Sequence, residues 1–239
     1  MLLKGCKLRT TDKQKSIYIK PSRKCMLKMK ATNIKTVIFQ TGIAGICYFT
    51  DKENNYLYHM SAVKLLPYYT YEDYCNWEGR WELIDGIPFA MSPAPSPRHQ
   101  WIVINIASEL RAALKKSKCK HCKVYDFIDL KVEEETILQP DASIICGKIH
   151  KKFVDFPPVL VVEILSESTA LKDRITKFSI YGKFGIKYYL IVDPDQESVE
   201  IYFLENSTYH LQEFAAEKPF TFSLSDDCNI DVVVKSFWE

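Results

Sequence analysis

The sequence predicts an α/β fold, a mixed central sheet flanked by helices, and three segments carry that expectation. Residues 159–165 read VLVVEIL behind Pro157–Pro158, an almost continuous apolar run of strand length. Such a run suits a strand buried on both faces, in the middle of a sheet. From His99 the apolar residues Ile102, Ile106, Leu110 and Ala113 fall three and four apart, the spacing of a helix with one buried face. KYYLIVD and SVEIYFL then follow as two strands across the turn residues Asp193, Pro194 and Asp195.

The other elements can be taken in chain order. Residues 1–59 have no durable periodicity; 34–49 alone suggests a strand or hairpin around Gly42 and Gly45. This stretch reads either as a poorly ordered basic arm or as sequence ahead of a true start at Met60, so the domain proper is placed at 60–239. Thr70 can cap a short helix whose first turn carries Glu72 and Asp73. Trp81–Met91 reads as a strand broken at Asp85–Gly86, a hairpin signature, and SPAPSPRH stops it. After the helix from His99, residues 123–132 are expected as one strand and 142–146 as a shorter one. A helix from about Leu171 to Lys183 should end before Gly185, and the tail holds a further strand or two.

The 239 residues are 47% apolar and 13% aromatic, a globular composition with room for one sizeable core and an appendage. No apolar run approaches the length of a membrane span and no secretory leader is evident, so a reduced cytoplasmic protein is expected. Among the eight cysteines, Cys119 and Cys122 form a C-x-x-C around His121. With no second ligand pair at zinc-site spacing, free surface thiols are favoured over structural zinc. The net charge of +2 conceals an asymmetry: residues 1–59 hold twelve Lys and Arg against three acids, and the remainder twenty against twenty-seven. General attraction to nucleic acid therefore resides in the first quarter.

Glu163 is the most informative residue. A carboxylate inside VLVVEIL is costly to bury unless paired, protonated or bound to a metal. Asp141, directly after Pro140, opens a neighbouring short strand, and two acids on adjacent strand ends can share one divalent cation. Taken alone, Glu163 is equally an ion-paired strand end and Glu82, in WELIDG, a surface residue. His99 either caps the long helix or sits in a cleft as a proton carrier or orienting donor. Asp173, Lys177 and Tyr181 fall at i, i+4 and i+8 near one helix face, where Lys177 either bridges Asp173 or steadies a phosphate or its attacking water. Asp85 belongs to the turn, and Ser166 and Ser168 to a turn or cap. No G-x-S-x-G, G-x-G-x-x-G, P-loop or H-E-x-x-H motif is present.

WELIDG, MSPAPSPRH, QPDASII and PPVLVVEILSESTALKDRITKFSIYGKFGIKYYLIVDP together resemble the "putative restriction endonuclease" family abundant in cyanobacteria, within the PD-(D/E)XK nuclease superfamily, over about residues 65–239. The resemblance implies a restriction-endonuclease-like mixed central sheet flanked by helices. It also implies a magnesium-dependent phosphodiesterase acting on DNA, with manganese as a substitute and a homodimer as the assembly that cuts both strands. Glu82, Asp141 and Glu163 look like its metal-site acids, Lys177 like its lysine and His99 like its histidine. The superfamily lysine usually stands two residues after the strand acid, where this chain has Leu165, so the family lysine is matched on the following helix. A catalytically inactive relative, serving as a nucleic-acid-binding or regulatory module, would share the same fold.

Overall fold

A computed structural model describes residues 67–91, 94–166 and 169–239 in full. Of the residues before 67, backbone strands are assigned at Ile38–Thr41 and Cys47–Thr50, which pair antiparallel as the hairpin expected over 34–49, whereas the division at residue 60 lies outside the described residues. The first described helix is α1 (Tyr71–Tyr74), entered at Thr70, whose backbone N–H and hydroxyl both donate to Asp73 Oδ2. The hairpin follows as β1 (Trp81–Ile84) and β2 (Ile87–Ala90). Asp85 and Gly86 both take positive φ, 49° and 76°, the tight turn that Asp–Gly favours. Then comes α2 (Pro97–Lys116), with Ser96 Oγ accepting from the His99 N–H and Pro97 in the first turn.

The stretch 123–132, expected as one strand, is two. β3 (Cys122–Asp126) ends at Phe127, whose φ of 44° turns the chain, and β4 (Leu130–Glu133) joins a different sheet. The periodicity continues through the corner because both halves have one buried face, so alternation alone cannot mark where the chain changes sheet. β5 (Thr136–Leu138), β6 (Ala142–Cys146) and the central β7 (Leu160–Ile164) follow. A π-helical segment, Lys172–Lys177, runs into α3 (Phe178–Phe184), closed by Gly185 at a φ of 93°. β8 (Tyr188–Asp193), β9 (Ser198–Glu205), β10 (Thr208–Leu211), β11 (Pro219–Ser225) and β12 (Cys228–Val233) are the remaining strands of residues 67–239.

The main sheet has the order β10-β9-β8-β7-β6-β3. β7 and β8 are parallel and joined through the π segment and α3; the other neighbours are antiparallel. Across residues 67–239 a second sheet, β4-β5-β1-β2, and the hairpin β11-β12 accompany it. This is the mixed, helix-flanked restriction-endonuclease-like fold anticipated from sequence. Alternation along β7 divides its side chains between two cores. Leu160, Val162 and Ile164 join Ile102, Ile106, Leu110, Phe222 and Ile230 under α2 and the terminal hairpin. Val161 and Leu165 join Ile84, Leu138, Tyr181 and Tyr189 on the opposite side. Glu163 shares that second face, turned toward α3 and the second sheet.

A Cβ on Gly86 would lie 2.3 Å from Tyr68 Cδ2 and would hold an unfavourable φ. Gly86→Ala should therefore lower stability by about 2 kcal/mol, the usual cost of overpacking, measured as a shift in the denaturant midpoint at unchanged slope.

Candidate active site

The end of β7 and the start of β6 bring the two strand acids together. Ala142 pairs with Val162 in an antiparallel register, so one step further Asp141 stands opposite Glu163. Asp141 Oδ2 accepts from the Ile164 N–H at 2.8 Å and lies 3.3 Å from His99 Nε2. Glu82 arrives from β1 and accepts from the Gln139 N–H at 3.2 Å. All three carboxylates are buried: Glu82 has no exposure, Glu163 3% and Asp141 6%.

Lys177 sits among them with 2% exposure. Its Nζ is 2.8 Å from Glu82 Oε1, 2.9 Å from Glu163 Oε1 and 3.4 Å from Asp173 Oδ1. The Asp173–Lys177 bridge anticipated along the helix is therefore present, as one contact of three. Lys172 Nζ holds the other Glu82 oxygen at 2.5 Å. The π turn accounts for this convergence: hydrogen bonds five residues apart widen the helix, so Lys172 and Lys177 can reach the same carboxylate. Tyr181 donates its hydroxyl to Glu163 Oε1 at 2.6 Å, and the hydroxyl of Tyr189 holds the Asp173 carbonyl at 3.0 Å. Leu165, at the usual lysine position, is packed in the second core.

These contacts set the electrostatics. Burial alone would drive Glu82 toward its neutral form, but Lys177 and Lys172 overcome it and hold the carboxyl below its ordinary range. Burial pushes Glu163 well above that range; Lys177 opposes the shift, while Asp173, Asp141 and Glu82 reinforce it. Asp173 is raised by burial despite Lys177. Burial would discharge Lys177, but Glu163, Glu82 and Asp173 keep it firmly protonated. Burial lowers the affinity of His99 for a proton, and the hydrogen bond and charge of Asp141 more than restore it. Four carboxylates thus face two ammoniums and an imidazole, and Glu163 is the acid that this surplus drives toward its neutral, protonated form.

An open cleft of about 550 Å³ reaches this cluster, lined by His99, Asp141, Glu163, Lys172, Asp173 and Lys177. Arg80 and Arg98 also line it. Arg98 pairs with Glu197 and Arg174 with Glu200, whereas Arg80 stacks on Phe127 and leaves one buried guanidinium nitrogen without a hydrogen-bond partner. Sequence reading missed Arg80; its position one residue before the strand of Glu82 was the available signal.

The cysteines depart from expectation. Cys119 pairs with Cys228 and Cys122 with Cys146, so neither cysteine of the C-x-x-C is a free surface thiol. Among the described residues, His121, Cys122 and Cys146 place ligand atoms within 4.8 Å of one another. They stand at the far end of β6 from Asp141.

The profile of the Uma2 family, described as "Putative restriction endonuclease", matches residues 68–229, which include every acid and lysine of the cluster. An uncharacterized Synechocystis protein, slr1290, is 30% identical over 141 residues, covering 55% of this chain and 72% of that protein. A crystal structure of a putative nuclease belonging to DUF820 from Anabaena variabilis superposes with a TM-score of 0.57 at 16% identity. It covers 71% of this chain and 97% of that one, a likeness of fold.

Lys177→Met would leave Glu82, Glu163 and Asp173 without their shared counter-charge and should cost about 3–5 kcal/mol of stability. Glu163→Gln should raise stability by about 1 kcal/mol at pH 8. The folded-state pKa of Glu163 exceeds its unfolded value, so its contribution is fully present at low pH and is lost as pH rises through the folded pKa. The gain from Glu163→Gln should therefore shrink as pH falls, read from denaturant midpoints across a pH series.

Proposed function

The chain belongs to the Uma2 family of "putative restriction endonuclease" proteins, and from that premise we propose that it is a magnesium-dependent endonuclease hydrolysing DNA phosphodiester bonds. The observation that carries the reading is the juxtaposition of Asp141 and Glu163 at abutting strand ends, open to one cleft, with the Lys177 ammonium 2.9 Å from Glu163. The donor set fits a hard divalent cation. Its oxygens are carboxylates, its acids outnumber its cations, and the buried Asp173 Oδ1 has Lys177 at 3.4 Å but no hydrogen bond. Asp141 and Glu163 would hold the metal. Both oxygens of Glu82 are taken by lysines, so its expected part as a third ligand requires one ammonium to withdraw.

Bound magnesium would polarise a phosphoryl oxygen and make a nucleophile of water near neutral pH. In this reading Lys177 steadies the scissile phosphate, and Glu82 and Asp173 position its ammonium. Tyr181 orients Glu163, and His99 donates to Asp141 to fix its rotamer. Arg80 and Lys172 supply positive charge along a cleft whose surrounding domain is acidic overall. A pair of such sites in a homodimer would reach both strands of a duplex. Among the described residues, no helix is long and apolar enough to cross a membrane.

One observation favours a second reading. Lys177 and Lys172 occupy the space between the acids and neutralise Glu82 fully, as expected of an inactive relative that binds nucleic acid without cutting it. Nicking of supercoiled plasmid by the full chain, with magnesium, manganese or chelator, separates the two. The nuclease reading expects metal-dependent nicking that falls at least about 100-fold in Asp141→Asn, Glu163→Gln and Lys177→Met, the scale for losing one preorganised charged group. Retention of DNA in a gel-shift assay without metal-dependent nicking would instead establish the binding module.

A further inference from the structure

We propose that Cys119, Cys122, Cys146 and Cys228 form a structural zinc site of four thiolates, separate from the acidic cleft. Cys146 and Cys228 are far in sequence from the C-x-x-C of Cys119 and Cys122, and the fold gathers all four. Cys119 and Cys122 lie on the turn leaving α2 and at the start of β3. Cys146 ends β6 as the direct cross-strand partner of Cys122. Cys228 opens β12 in the terminal hairpin. The sulfurs are paired as two disulfides, but these pairs abut: Cys228 Sγ lies 3.9 Å from Cys122 Sγ, outside its own bridge. A tetrahedral zinc ion with Zn–S distances of about 2.3 Å separates its sulfurs by about 3.8 Å. The contact between the two pairs is already at that spacing, and with both bridges reduced each bonded pair would part to it around one ion, so that all four serve as ligands.

Two further observations favour zinc over paired bridges. Cys122–Cys146 would join directly opposed residues of two strands whose five-pair register is already fixed by backbone hydrogen bonds, so that bridge adds little constraint. The surroundings are also cationic. Lys115, Lys116, Lys118, Lys120 and Lys123 crowd the C-x-x-C. Lysines lower thiol pKa values and offset the double negative charge of a tetrathiolate, whereas disulfides are neutral. Cys122 and Cys228 are buried, and Gly147, at a φ of 136°, turns the chain directly after Cys146. Binding exchanges four thiol protons for one Zn²⁺, with no change of oxidation state. The zinc and disulfide forms exclude each other, because a disulfide sulfur has no thiolate charge to donate.

The site is structural by position and by closure. Five residues of extended β6 separate Cys146 from Asp141, roughly 16 Å, and four protein thiolates leave no open coordination position. It would pin the terminal hairpin and the end of α2 to the main sheet. His121 stands beside it, its Nε2 3.2 Å from Ser225 Oγ and 3.8 Å from Asp227 Oδ1, outside the ligand set.

The test is metal and thiol analysis of the full chain purified without chelator. The expected result is one zinc per chain, with all eight cysteines reacting with a thiol reagent after denaturation in chelator without reductant. Replacement by Co²⁺ should give the intense charge-transfer and d–d absorption of tetrahedral thiolate cobalt, a readout on wild type that needs no variant to fold. Cys146→Ser and Cys228→Ser should lower zinc affinity at least 10-fold, while His121→Ala and Glu163→Gln keep one equivalent. Absence of zinc with four fewer reactive thiols would overturn the proposal in favour of two disulfides. Loss of zinc in His121→Ala, or its retention in both cysteine variants, would overturn the ligand set. Because Glu163→Gln leaves the zinc in place, failure here is distinguishable from failure of the nuclease reading.

Discussion

A buried ammonium among buried carboxylates is the contact on which the rest of this structure depends. Glu82, Glu163 and Asp173 come from a hairpin, a central strand and a helix, and each would be expensive to enclose alone. Lys177 meets all three. The charge pairs thereby tie the second sheet and α3 to the main sheet, beside the apolar core these elements share. Removing one partner of such a pair strands the others in low dielectric, which ties this side of the fold to the presence of a single nitrogen.

The backbone between β7 and α3 is shaped by the same demand. An ordinary helix would place Lys172 and Lys177 too far around its axis to share a carboxylate. The π segment widens the turn, and Phe178, Tyr181, Tyr189, Tyr202 and Tyr209 pack edge-on around its continuation to hold it. The parallel crossover from β7 to β8 thus carries both the positive charge and the aromatic support delivered to the acids at the strand ends. Tyr181 belongs to both, since its ring joins the aromatic group and its hydroxyl meets Glu163.

The main sheet also separates two kinds of side-chain chemistry. At one end of β6, hard carboxylate oxygens face an open cleft. At the other, soft sulfurs gather beneath the terminal hairpin. The alternation of β7 sends its apolar residues into two cores while placing its one acid on the face of the lysine, so the partition of side chains and the construction of the site are one event.

Much of this was legible in the sequence. Periodicity gave α2, β7 and the strands after it; Asp85–Gly86 gave the hairpin; a lone acid within an apolar run marked Glu163. Local chemistry sufficed because each of these signals lies within a few residues. The corner at Phe127 was not legible, since apolar alternation continues across a change of sheet. Nor was the meeting of Glu82 with two lysines about ninety residues away, or that of Cys119 and Cys122 with Cys146 and Cys228, because no local pattern encodes a distance between separate elements. The sequence by itself determined which segments are helices and strands and which residues carry reactive groups. Only the tertiary structure decided which of those groups share a low-dielectric space, and there proximity and burial, rather than residue type, set their charge and their chemistry.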